Sequence, residues 1–127
     1  YLFSNTLAPV ITYTAIKTID MLNHSSDLRE KLMENTFYFR KMIKDIGYII
    51  KNGEHPIVPI MLGNAKLAQK ISENMLKKDV FVIGFSYPVV PKDQARIRVQ
   101  LSAAHSRKQL DYTLKSFEEV GKELKLF

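Results

Sequence analysis

Two arginines on one predicted strand carry the clearest chemical signal in this sequence. Residues 94–101 read QARIRVQL, so apolar and polar side chains alternate. Since successive side chains of a strand point to opposite faces, one face enters a core and the other presents Arg96, Arg98 and Gln100 in a row. A guanidinium is a permanently charged, planar fork that binds a carboxylate or phosphate through two parallel hydrogen bonds. The pattern indicates either an anion-binding site or an exposed strand face with solvated charges, and on pattern alone the solvated face is the commoner case.

A second polar group stands near the start of the chain, where Ser4, Asn5 and Thr6 precede the first predicted helix. Hydroxyl and amide groups at such a position can hold a phosphate beside the free backbone N–H groups of a helix. They can equally cap the helix by accepting hydrogen bonds from those N–H groups. From the residues alone, capping is the simpler interpretation.

The familiar catalytic motifs are absent from the sequence. It contains no glycine-rich phosphate loop, no nucleophile elbow and no set of kinase motifs. It has no cysteine, and its three histidines, His24, His55 and His105, lie far apart. The carboxylates fall on the solvent sides of amphipathic helices, among them Glu30, Glu34, Glu118 and Glu119. We therefore predict no catalytic residue and no metal site within this chain.

Size and charge narrow the classes of protein and partner. The 127 residues fit one domain with a single core. The net charge of +6 suits a protein that handles anions or nucleic acid, but the lysines are spread along helices without a basic run, so no nucleic-acid partner is expected.

No apolar run could span a bilayer and no signal-peptide pattern occurs, which predicts a cytoplasmic protein without a membrane partner. Because the chain opens on apolar residues without a methionine, we expect a piece of a longer protein.

Hydrophobic periodicity predicts four helices. The first helix follows residues 4–6 and has Pro9 near its start. The second begins at Ser26 or Asp27 and ends at Gly47. The third follows Asn64, and the last begins with a capping box. That capping box is formed by Ser106 and Gln109. Apolar residues recur at helical spacing at Ile11, Ala15, Ile19 and Leu22 in the first helix. Predicted buried residues of the other three are Leu28, Leu32, Phe39, Ile43 and Ile46, then Ala68, Ile71 and Met75, then Leu110, Leu114, Phe117 and Leu124.

Short strands alternate with these helices. They are predicted at residues 48–50, 57–62 and 80–83, followed by the arginine strand. Asn52 and Gly53 predict a hairpin turn between the first two strands, and Pro59 favours an edge position because it cannot donate to a ladder. The predicted fold class is α+β: a small, mainly antiparallel sheet with helices packed on one side.

Four blocks of the sequence resemble one enzyme family. They are YLFSNTLAP (residues 1–9), HPIVPIMLG (residues 55–63), GFSYPVVPKDQARIR (residues 84–98) and SAAH (residues 102–105). In this order they resemble the glycine C-acetyltransferases, or 2-amino-3-ketobutyrate coenzyme A ligases, of the α-oxoamine synthase family. These are enzymes dependent on pyridoxal 5′-phosphate (PLP). The resemblance covers essentially the whole chain, and its first and third blocks together are specific.

The resemblance implies the C-terminal part of a homodimeric PLP-dependent transferase of the aspartate-aminotransferase fold type. Residues 1–24 would be the interdomain segment and the helix leaving an absent large domain, and residues 25–127 the C-terminal small domain. In such enzymes the arginine matching Arg98 binds the substrate carboxylate, and the residues matching Ser4 and Asn5 reach the cofactor of the neighbouring subunit. Arg96 does not match the carboxylate binder and is given a supporting role. The implied reaction condenses glycine with acetyl-CoA to give 2-amino-3-oxobutanoate and CoA, a step that threonine degradation runs in reverse.

One departure from the family matters for activity. The lysine that binds the cofactor as a Schiff base lies upstream of the matching region in the family and is absent here, as are the aromatic and acidic residues that contact the cofactor ring. This chain alone is therefore expected to be inactive. The alternatives are another α-oxoamine synthase, of the 8-amino-7-oxononanoate or 5-aminolevulinate type, and a non-catalytic basic module that binds RNA or an acidic protein.

Overall fold

A computed structural model describes residues 6–127, so Ser4 and Asn5 lie outside the described part of the chain. It contains four helices and three strands. In chain order they are α1 (Pro9–His24), α2 (Asp27–Ile46), β1 (Ile57–Gly63), α3 (Ala65–Leu76), β2 (Ile83–Phe85), β3 (Ala95–Gln100) and α4 (Arg107–Glu123).

The three strands form one antiparallel sheet in which β3 lies between β1 and β2. Helices α2, α3 and α4 cover one side of it, and their apolar residues form a single core with those of the strands. On β3, Ala95, Ile97 and Val99 are buried in that core, while the residues between them are not. The predicted α+β class, with helices on one side of the sheet, is confirmed.

The helix ends follow local sequence signals. Gly47 ends α2 with a φ of +118°, a backbone conformation that glycine adopts without strain. The side chain of Asn64 accepts a hydrogen bond from the backbone N–H of Leu67 and caps α3. Ser106 and Gln109 form the predicted capping box at the start of α4. At α2 the prediction was wrong in one detail, because Ser26 occupies the cap position but its hydroxyl donates to Glu30 instead of capping the backbone.

The predicted strand at residues 80–83 is displaced along the chain. The ladder forms over Ile83–Phe85, where Ile83 pairs with Arg98. Val82 is buried outside the ladder, and its carbonyl accepts a hydrogen bond from the Ser72 hydroxyl of α3 at 2.6 Å. Val82 therefore belongs to the core although it lies outside the ladder.

The predicted hairpin before β1 is also reduced. Instead of a strand over residues 48–50, a single antiparallel bridge joins Ile50 to Ile60. Consequently β1 forms a ladder on one side only, and Pro59 lies on an edge strand as predicted.

Helix α1 differs from the other three in burial. Every residue from Pro9 to His24 is exposed, including Ile11, Ile19 and Leu22. The same holds for Leu28 in the first turn of α2, which was predicted to be buried and is 67% exposed. The spacing of these apolar residues correctly predicted a helix, but nothing among the described residues covers them. Within that part of the chain, no helix is both long and apolar enough to cross a membrane.

A buried tyrosine links the end of α2 to α4 and makes stability depend on pH. The Tyr48 hydroxyl donates to the backbone oxygen of Phe117 at 2.9 Å, and its ring packs edge-on against Phe117 and Phe127. Burial raises the pKa of Tyr48 above its ordinary value. In alkaline solution the unfolded chain therefore loses this proton first, and the free energy of unfolding falls as the pH rises beyond the ordinary tyrosine pKa of about 10.

We predict that Tyr48→Phe lowers the free energy of unfolding by about 1 kcal/mol near neutral pH, because one buried hydrogen bond is lost. Above about pH 10 the variant should lose less stability per pH unit than the wild type, since the buried phenol is gone. Urea denaturation at a series of pH values measures both effects. Tyr112→Phe is the control, because it removes a hydroxyl bonded to the Lys78 carbonyl from a ring that is half exposed. Identical alkaline loss in the wild type and Tyr48→Phe would contradict the assignment.

Candidate functional site

The sheet face turned away from the helices carries the predicted arginines. The strand register places eight residues on this open face: Ile57, Pro59, Met61, Ile83, Phe85, Arg96, Arg98 and Gln100. All of them are exposed or half-buried, in contrast to their buried neighbours on β3 and β1. Except for the two arginines and Gln100, the face is apolar.

Arg98 lies at the centre of the open face. On β3 it is paired with Pro59 of β1 on one side and Ile83 of β2 on the other. Its guanidinium carbon lies over the ring of Phe85, 4.4 Å from the ring centroid. Among residues 6–127 the Arg98 side chain has no hydrogen-bond or ion-pair partner, so its N–H donors are free for an external anion.

Arg96 shares the face but is held differently. Its Nε donates to the backbone oxygen of Gln94 at 3.0 Å, and one terminal nitrogen donates to the Gln94 side-chain oxygen at 3.2 Å. The residue is also less exposed than Arg98. Because Gln94 occupies one edge of its fork, Arg96 is the poorer candidate for two-point binding of an external anion.

No carboxylate of the described chain neutralises the open face. The ion pairs between residues 6 and 127 all lie on the helical side and involve Lys78, Lys115 and Lys122 with glutamates of α4. The Lys78 ammonium donates to a Glu119 carboxylate oxygen at 2.6 Å, and this bond raises the pKa of Lys78 and lowers that of Glu119. The prediction that the helical carboxylates are surface charges holds for Glu118 and Glu119, which are partly exposed and paired with lysines.

A cleft of about 480 Å³ opens beside Arg98, where the chain before β2 diverges from β3. Its walls combine apolar core residues, such as Val82 and Leu110, with Arg98, His105 and Lys108. Asp79 lines the cleft as well, so its charged lining is of mixed sign, unlike that of the open face. Within the described part of the chain, no cluster of three or more histidines and carboxylates could hold a metal ion.

The second predicted site residues, Ser4 and Asn5, lie outside the described residues. The start of α1 bears on them indirectly. The helix begins at Pro9, and Ala8 occupies the cap position. Ala8 is therefore the N-cap residue of α1, and the roles of Ser4 and Asn5 stay predictions.

Phe85 is the residue of this site to which the sequence analysis gave no role. It is half-buried and lies against Arg98 on the open face. The strand prediction ended two residues before it, at residue 83. A strand predicted over Ile83–Phe85 would have placed Phe85 beside the arginines by register.

Curated proteins confirm the predicted resemblance. A 2-amino-3-ketobutyrate coenzyme A ligase of Mus musculus is 46% identical over 122 residues, covering 96% of this chain and 29% of the relative. The enzyme of the same name from Escherichia coli K12 is 44% identical, covering 98% of this chain and 31% of the relative. An 8-amino-7-oxononanoate synthase of Petrotoga mobilis is 41% identical, with 98% and 32% covered. The chain spans about a third of the length of the curated relatives it matches.

Solved structures agree on the fold, and a family model settles the family. A serine palmitoyltransferase from S. paucimobilis with bound PLP–myriocin aldimine superimposes with a TM-score of 0.89 at 23% identity, covering 98% of this chain and 32% of that chain. An 8-amino-7-oxononanoate synthase from Francisella tularensis gives a TM-score of 0.80 at 25% identity, with 98% and 35% covered. The predicted fold type of the PLP-dependent aminotransferases is thereby confirmed. The family model for aminotransferase class I and II matches residues 1–117, so the chain belongs to the aminotransferase class I and II family.

Proposed function

We propose that this chain is the C-terminal part of a PLP-dependent glycine C-acetyltransferase. The complete enzyme joins glycine to acetyl-CoA and releases 2-amino-3-oxobutanoate and CoA. The single observation that carries the proposal is the unpaired Arg98 guanidinium at the centre of an open, acid-free sheet face. The similarity to 2-amino-3-ketobutyrate coenzyme A ligases supports this choice of substrates.

In this proposal the chain divides at residue 24. Residues 1–24 lead out of the large domain, and residues 25–127 form the small domain. Supporting this division, α1 buries none of its residues, whereas α2, α3 and α4 share one core with the sheet. The apolar side chains of α1, such as Ile11, Ile16 and Ile19, are then covered by the rest of the enzyme.

The described residues suit the substrate side of a PLP site. Arg98 offers a two-point anion site, and none of the eight residues on the open face is a carboxylate that would compete for it. When bound, PLP acts as an electron sink that stabilises negative charge at the amino-acid Cα. Residues upstream of this chain supply the lysine that attaches it. Ser4 and Asn5 would hold the PLP of the neighbouring subunit, so the active form would be a homodimer.

Arg98 governs which bond of glycine reacts. Its guanidinium binds both carboxylate oxygens and fixes the rotation of the amino acid about its Cα. A base supplied by the rest of the enzyme takes a proton from Cα, and the Cα electron pair forms a carbon–carbon bond to the acetyl carbonyl carbon. The carbon–sulfur bond then breaks, and CoA departs as the thiol after taking up a proton. Because the product keeps its carboxylate, a firm hold on that group also protects it from loss as carbon dioxide.

We predict that Arg98→Ala in the complete enzyme raises the KM for glycine strongly and lowers kcat. Losing a charge-assisted, two-point contact costs about 2–4 kcal/mol, which corresponds to roughly 30- to 1000-fold in kcat/KM. Steady-state kinetics with glycine varied at saturating acetyl-CoA measure the loss. Arg96→Ala is the matched control and should cost far less, since Gln94 already binds its guanidinium. Unchanged glycine kinetics in Arg98→Ala would remove this residue from the site.

Ser4 and Asn5 give a second prediction. Replacing both with alanine should weaken PLP retention, measured by cofactor absorbance after extensive dialysis. If the two residues act across the dimer interface, mixing with subunits that carry a different inactivating substitution should restore one working site per dimer. Full cofactor occupancy in the double variant would show that they do not contact PLP.

The choice of acyl donor separates this function from that of a sister enzyme. The similarity to an 8-amino-7-oxononanoate synthase favours that alternative to a lesser degree, since its identity is 41% against 44–46% for the two ligases. We predict that the complete enzyme uses glycine with acetyl-CoA at least tenfold more efficiently, in kcat/KM, than alanine with a medium-chain acyl-CoA. A thiol-release assay over acetyl-CoA and longer acyl-CoAs with both amino acids measures this ratio. A reversed preference would assign the sister activity.

A further inference from the structure

We propose that Phe85 is a positioning residue that holds the Arg98 guanidinium in place for the substrate carboxylate. The inference rests on the proposed function and deepens it, because it names what orients the carboxylate-binding group. Phe85 itself is not required to touch the substrate.

The contact between the two side chains follows from the strand register. Phe85 pairs with Arg96 and Ile83 pairs with Arg98, so Phe85 and Arg98 are diagonal neighbours on the open face. The Arg98 guanidinium carbon is 4.4 Å from the Phe85 ring centroid, well within the cation–π range of about 6 Å. The ring attracts the positive charge without accepting a conventional hydrogen bond, so it leaves the N–H donors unused.

The neighbouring arginine shows how the same strand fixes a guanidinium by hydrogen bonds. Arg96 gives two donors to Gln94, and those donors are then lost to any ligand. Arg98 is restrained by Phe85 while its donors stay free. The second arrangement orders the guanidinium while leaving all five N–H donors available to a carboxylate, whereas Arg96 has already given up the edge formed by Nε and one terminal nitrogen.

Phe85 is itself held by a closely packed strand. A Cβ atom added at Gly84 would lie 3.1 Å from the backbone oxygen of Ala68, so β2 approaches α3 as closely as a glycine allows. The hydrogen bond from Ser72 to the Val82 carbonyl ties the preceding residues to the same helix. The backbone on both sides of Phe85's strand pairing is thus tied to α3, and the ring contact restricts the rotamers of Arg98 before a substrate arrives.

The test uses the complete PLP-loaded enzyme and the variants Phe85→Leu and Phe85→Tyr. Phe85→Leu removes the ring and keeps an apolar side chain, and we expect the KM for glycine to rise about two- to fivefold. The kcat should fall less than in Arg98→Ala, since the guanidinium is still present, and the KM for acetyl-CoA should stay within about twofold. Phe85→Tyr restores an aromatic face and should return the KM for glycine to the wild-type range.

The Arg98→Ala background separates positioning from a general structural role. If Phe85 acts through Arg98, adding Phe85→Leu to Arg98→Ala should change the glycine kinetics no further. An equal rise in both backgrounds, or no rise in the Phe85→Leu single variant, would overturn the proposal. A fall in melting temperature without the KM effect would count against it in the same way. A wild-type enzyme with no activity toward glycine and acetyl-CoA would instead refute the proposed function.

Discussion

The pairing of β3 with a strand on each side is the constraint on which the site depends. Because Ile97 and Val99 are buried under the helices, the residues between them must point to the opposite face. A one-residue slip in register would bury Arg98 and expose the core residues, at a prohibitive cost in free energy. The same packing that stabilises the domain therefore fixes the place and direction of its exposed charge. Pro59 and Ile83 on either side add no charge of their own.

Structural features that depend on residues close together in the sequence could be predicted from the sequence. The alternation in β3, the glycine at the end of α2 and the capping box of α4 are examples, because each rests on contacts within a few residues. The displaced strand β2 could not be predicted in the same way. Val82 belongs to an apolar run that is typical of a strand, but a hydrogen bond from α3 replaces its sheet pairing.

The candidate site shows the same division. From the alternating pattern alone, Arg96 and Arg98 were equally good candidates for binding an anion. Their surroundings differ because of contacts that the alternation of polar and apolar residues cannot predict. Gln94 binds one of them, and Phe85 contacts the other from a neighbouring strand. Only the resemblance to a family favoured Arg98 beforehand. The roles of Ser4 and Asn5 rest on that resemblance alone and remain predictions.

The exposed apolar residues of α1 and the unpaired Arg98 are both consistent with a chain that performs one part of the function of a larger enzyme. In the proposed enzyme this part of the chain grips the amino-acid carboxylate, while the remainder supplies the cofactor and covers the apolar residues of α1. This arrangement explains why the chain has an ordinary hydrophobic core but no catalytic motif of its own.

The most direct measurement is the position of glycine in a crystal structure of the complete enzyme. Our account predicts both carboxylate oxygens within about 3 Å of the Arg98 guanidinium nitrogens, with Arg96 still turned toward Gln94. Glycine bound with its carboxylate away from Arg98, and that guanidinium facing bulk water, would contradict it.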